Sequence, residues 1–118
     1  KQVIADIYKQ FGYTADPHTA IGIGVHQRYR KQTGDNTPTV IASTASPFKF
    51  AATVLDALNT ERIGDDFAQL KTLSTITGMS CPEALLSLRE KPRRFNTVLA
   101  PSDMADAVIN MAVERKEP

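Results

Sequence analysis

The chain has 118 residues, 42% of them hydrophobic and 23% charged, with a formal net charge of +1. That is one domain's worth of chain, and a near-neutral balance gives no case for nucleic acid or an anionic membrane as the main partner, since both favour concentrated basic patches. The longest apolar runs, Val98-Leu99-Ala100 and Val40-Ile41-Ala42, are too short to span a bilayer.

In chain order, Val3, Ile4, Ile7 and Phe11 recur at helical spacing, and Gly12 is the expected stop. Lys1 already lies inside this pattern, as expected of a segment of a longer polypeptide. Asp16 then caps a second helix, with Pro17 at its first position, where a missing N–H costs nothing. This helix is expected to run to about Thr33, stop at Gly34, and carry Ile21, Val25 and Tyr29 as its apolar stripe. Gly22 and Gly24 inside it each cost about 1 kcal/mol relative to Ala, so a backbone or a ligand is expected to approach closely there.

Gly34-Asp35-Asn36-Thr37-Pro38 is a turn cluster, and residues 39–42 read as a short buried strand. Ser46 and Pro47 repeat the cap-plus-proline start, and the helix they open is expected to reach Leu58 with Phe50, Val54, Leu55 and Leu58 inward. Phe67, Leu70, Leu73 and Ile76 mark a further helix ended by Gly78. Ser80 and Glu83 have the spacing of a capping box that starts a short helix ended by Pro92. Residues 96–99 read as a second, weaker strand, and Ser102 as the cap of a closing helix whose apolar face is Ala105, Val108, Ile109 and Ala112. A lone buried strand leaves its backbone donors and acceptors unpaired, so the pattern calls for neighbours outside this chain.

The lone cysteine, Cys81, rules out an internal disulfide, which fits a reducing cytoplasm. With only His18 and His26 beside it, it makes no zinc site. The serines have no nucleophile-elbow setting. Arg93-Arg94-Phe95 is a small basic spot, and Arg28, Arg30 and Lys31 lie where the end of their helix favours positive charge without any ligand.

The most specific wording is DPHTAIG at residues 16–22, followed by TPTVIASTASPFKF at residues 37–50. Together with GYTADPHTA and the closing helix, these segments resemble the C-terminal part of threonine synthase, over nearly the whole chain. The resemblance implies a pyridoxal phosphate enzyme of fold type II that turns O-phosphohomoserine and water into threonine and phosphate. It implies a mixed α/β fold, in which residues 1–118 form a mostly helical C-terminal segment contributing one or two strands to a larger sheet. The segment would pack against the N-terminal part of its own chain.

By the same resemblance, Thr44 stands where the family's T-A-H-P or T-A-S-P threonine meets the pyridine nitrogen of the cofactor, with Ser43 as the neighbour to consider. Asp16 would border the pyridine ring, His18 would lie near the substrate, and Lys49 would contact the substrate phosphate. Ser46 stands where some members carry His, which puts in doubt any step that needs a histidine there. The family's cofactor-bearing lysine and glycine-rich phosphate loop match none of the seven lysines or six glycines here. The segment alone is therefore expected to be inactive, with no catalytic residue of its own.

The residues also allow plainer roles. Asp16 and Ser46 serve as caps, Thr44 as a strand-end threonine, His18 as a helix-start residue and Lys49 as a solvated cation. Two rival functions stay open: another enzyme of the same fold, such as a threonine or serine dehydratase, and a non-enzymatic helical interaction domain.

Overall fold

The computed structural model describes residues 1–114. Among these residues six α-helices follow one another: α1 (Gln2–Phe11), α2 (Pro17–Thr33), α3 (Ala51–Ala57), α4 (Asp66–Thr77), α5 (Glu83–Leu86) and α6 (Met104–Glu114). Short 3₁₀ turns at Pro47–Phe50, Ser87–Glu90 and Pro101–Asp103 lead into α3, follow α5 and precede α6.

The helix punctuation follows the sequence closely at the N-terminal end. Gly12, Gly34 and Gly78 all adopt left-handed backbone just past α1, α2 and α4, with φ of 65°, 72° and 69°. In each case the glycine N–H bonds back to a carbonyl of the last turn. Asp16 and Ser46 cap as expected, and Asp65 does the same for α4 through Ala68 N–H at 2.8 Å.

The core gathers around α3, which packs against both α1 and α4. Val54 and Leu55 of α3 and Leu73 of α4 are fully buried, with Ile4, Ala15, Ala20 and Phe48 closing over them. Gly24 explains how α1 and α2 come together, because a Cβ there would stand 3.1 Å from Val3 Cγ2. At Gly22 the neighbour is Ile41 Cγ2, at an ordinary 3.5 Å. Of the close approaches expected at these glycines, only the one at Gly24 is tight, and it is made by a side chain of this chain and not by a backbone. Tyr8 hydroxyl, donating to the carbonyl of Ile76 at 2.9 Å, ties α1 to the end of α4.

Four expectations are corrected. The α/β class fails, because the described residues contain helices and no strand or sheet. Residues 39–42 and 96–99 form neither helix nor strand, and Val40 and Val98 are 96% and 93% exposed. Their apolar content suggested burial, yet a strand exists only where a ladder partner takes its N–H and C=O groups. Ser80 is not a cap: the residue before α5 is Pro82, with no side-chain capping bond. Ser102 lies inside a 3₁₀ turn and donates to Asp103 at 2.8 Å instead of capping α6.

The apolar faces expected on α2 and α6 are present but uncovered. Ile21 and Val25 on α2 and Val108 and Ile109 on α6 are all about two-thirds exposed, at 59–65%. The substantial contacts of α6 are with the turn that precedes it. The radius of gyration is accordingly 19.6 Å, against about 13 Å for a compact domain of roughly 100 residues.

Candidate functional site

Asp16 is the anchor. Its carboxylate is 1% exposed and stands at the N-terminus of α2, where backbone N–H groups point outward without helical partners. It accepts from the N–H of His18 at 2.9 Å and of Thr19 at 3.3 Å. The hydroxyl of Thr19 donates to its second oxygen, and the His18 imidazole Nδ1 lies 3.4 Å from the first. Burial pushes the Asp16 carboxyl up, but the bonds from Thr19 and His18 outweigh it and hold the group below the ordinary aspartate range.

From this anchor a chain of hydroxyls leads to the second motif. Thr19 Oγ1 is 3.1 Å from Ser43 Oγ, and Ser43 Oγ is 3.2 Å from the Tyr13 hydroxyl. A hydroxyl has one proton to give. With the Thr19 proton committed to Asp16, Ser43 donates to Thr19, and Tyr13 donates to Ser43. The run Tyr13–Ser43–Thr19–Asp16 thus goes from a residue 45% exposed to one almost fully buried.

Of the expected site residues, the structure brings Asp16, His18 and Ser43 together. His18 also lays its ring edge-on to Phe50, with centroids 5.0 Å apart, so the starts of the two proline-led segments touch. Thr44 follows Ser43 and is exposed, and among the described residues its hydroxyl takes no hydrogen-bond partner. Lys49 is exposed in the Pro47–Phe50 turn and lines a cleft with Phe50, Asp66, Phe67 and Gln69, separate from the hydroxyl chain. Ser46 is occupied as the cap, accepting from Phe48 N–H at 3.3 Å.

Two participants escaped the sequence reading. Tyr13 carried no local signal. Thr19 did, since it stands three residues after the capping Asp16, where a side chain reaches back to the cap. Thr14 adds a further feature: its hydroxyl is buried without a partner among the described residues, two positions before Asp16.

The comparisons with known proteins bear on this same stretch. Residues 19–109 match the family described as "Threonine synthase, C-terminal". The chain belongs to this family. The match includes Thr19, Ser43, Thr44 and Lys49, while Tyr13, Asp16 and His18 lie just ahead of it. Threonine synthase of Corynebacterium glutamicum is 40% identical over 55 residues, which are 47% of this chain and 11% of that protein. Threonine synthase-like 1 of Homo sapiens is 31% identical over 103 residues, 86% of this chain and 14% of the relative; the Mus musculus protein is 30% identical over the same length. The chain thus spans only about an eighth of the curated relatives it matches. No solved structure matches it significantly. Among the described residues no helix is long and apolar enough to cross a membrane.

Proposed function

We propose that residues 1–118 are the C-terminal part of a pyridoxal phosphate-dependent threonine synthase, acting on O-phosphohomoserine and water to give threonine and phosphate. The observation that carries this reading is the bonded juxtaposition of the Asp16 and Ser43 motifs in a chain of the threonine synthase C-terminal family.

The residues fit one edge of the cofactor. Thr44 offers a hydroxyl with no partner among the described residues, beside a Ser43 whose own hydroxyl is fixed on both sides. Such a hydroxyl can meet a pyridine nitrogen without imposing a full charge on the ring. When bound, pyridoxal phosphate draws electrons away from the carbon skeleton of the substrate. In this reading Asp16, held ionised, borders the ring edge and steadies the His18 imidazole on the substrate side. Lys49 presents an ammonium to the substrate phosphate from the rim of its cleft. The lysine that carries the cofactor and the loop that holds its phosphate belong to the upstream region, so the segment alone is inactive.

The uncovered apolar residues of α2 and α6 support a surface that packs against the rest of a larger protein, and they oppose a free-standing interaction domain. The test is to supply O-phosphohomoserine to the full-length gene product and measure phosphate and threonine together. Equimolar formation of both supports the reading, with Lys49→Gln raising KM for the phosphorylated substrate. Turnover of serine or threonine with no action on O-phosphohomoserine would assign a dehydratase instead.

A further inference from the structure

We propose that Thr19 is a positioning residue: its hydroxyl ties the buried Asp16 carboxylate to Ser43 and so fixes where Thr44 stands. The tie rests on geometry alone; what Thr44 meets rests on the pyridoxal phosphate reading above.

Residues 34–46 contain no helix and no strand, so their placement depends on side chains. At Ser43 that placement comes from two hydroxyl contacts, with Tyr13 at 3.2 Å and Thr19 at 3.1 Å. They differ in quality. Tyr13 is half exposed and sits in a connecting segment, where water competes for its hydroxyl. Thr19 is 6% exposed, belongs to the first turn of α2, and has its proton committed to a carboxylate. A bond to a charged acceptor is the stronger kind, and it orients the remaining lone pairs of Thr19. Ser43 therefore meets an acceptor already fixed in direction by the α2 N-terminus. Asp16 sets Thr19, Thr19 sets Ser43, and the next residue is Thr44.

Valine has the shape of threonine without donor or acceptor, so Thr19→Val severs both bonds while keeping the packing. Thr19→Ser keeps the hydroxyl. Ser43→Ala breaks the same tie from its exposed end and serves if Thr19→Val does not fold.

The experiment uses the full-length protein with these three variants and the Thr19→Val/Ser43→Ala double variant. Thermal midpoints report the tie without reference to any cofactor. If it exists, the double variant loses clearly less than the sum of the singles, because both remove one interaction. Additive losses would overturn it. The absorbance of added pyridoxal phosphate, followed against pH, reports the role toward Thr44. Thr19→Val and Ser43→Ala should shift that curve alike and lower kcat by roughly ten- to a hundredfold at little-changed KM, with Thr19→Ser restoring both. Coupled melts with a wild-type absorbance curve in Thr19→Val would keep the tie and overturn the positioning role. A wild-type protein that takes up no pyridoxal phosphate would sink the functional reading, while the melts alone still decide the tie.

Discussion

Thr19 and Ser43 are 24 residues apart in the chain, yet their hydroxyl oxygens stand 3.1 Å apart. That contact joins two motifs that are each unremarkable as helix starts. It links the capping aspartate of the first motif to the second, because Thr19 also donates to Asp16.

The two buried threonines near Asp16 should respond oppositely to the same substitution. Thr19→Val removes a bond to a buried carboxylate and should lower stability by about 1–3 kcal/mol. Thr14→Val removes a hydroxyl that has no partner among the described residues, and should be neutral or slightly stabilising. Denaturant unfolding of the two variants decides this; equal losses would contradict the hydrogen-bond assignment.

The Asp16 carboxyl also sets a pH dependence. Its native value lies below the unfolded value of about 3.9, so its contribution is fully present above that pH and lost as pH falls through the native value. Asp16→Asn should therefore be less stable than wild type at pH 7, with the gap narrowing below about pH 4. Asp35 and Asp56 are also lowered, by the Thr37 hydroxyl and by the Lys1 ammonium respectively. They are common to both proteins and cancel in the difference. A gap that stays constant into acid would show that the charge of Asp16 contributes nothing.

What the sequence made legible was local. The stops at Gly12, Gly34 and Gly78 and the caps at Asp16 and Ser46 depend on neighbours within a few residues, and each was read correctly. The strands failed because apolar composition at Val40 and Val98 reports only a tendency to be buried, whereas strand structure needs a partner. The candidate site was half legible. Asp16, His18 and Ser43 were named and do come together, but the Thr19 link that joins them spans two elements, and no local pattern encodes that pairing.

The glycines of α2 give a graded prediction. Gly22→Ala adds a methyl at ordinary contact distance from Ile41 and should gain up to about 1 kcal/mol from helix propensity. Gly24→Ala brings the methyl to 3.1 Å from Val3 Cγ2 and should gain less, or lose. Thermal melts that rank Gly24→Ala above Gly22→Ala would contradict the close α1–α2 approach.

Ser46, Ser80 and Ser102 should separate cleanly. Ser46→Ala removes a true cap and should cost about 1 kcal/mol, with Ser46→Asp retaining most of it. Ser80→Ala and Ser102→Ala should each stay within about 0.5 kcal/mol, because neither caps a helix. A loss at Ser80 as large as that at Ser46 would restore the capping box.

The most direct test of the central claim is to titrate pyridoxal phosphate into the full-length protein and into its Thr44→Val variant, following absorbance and threonine formation. The account predicts that wild type binds and turns over. It also predicts that Thr44→Val, which removes an exposed hydroxyl unpartnered among the described residues, folds normally with an altered absorbance band and a kcat lowered by roughly tenfold or more. A Thr44→Val protein identical to wild type in both readouts would contradict it.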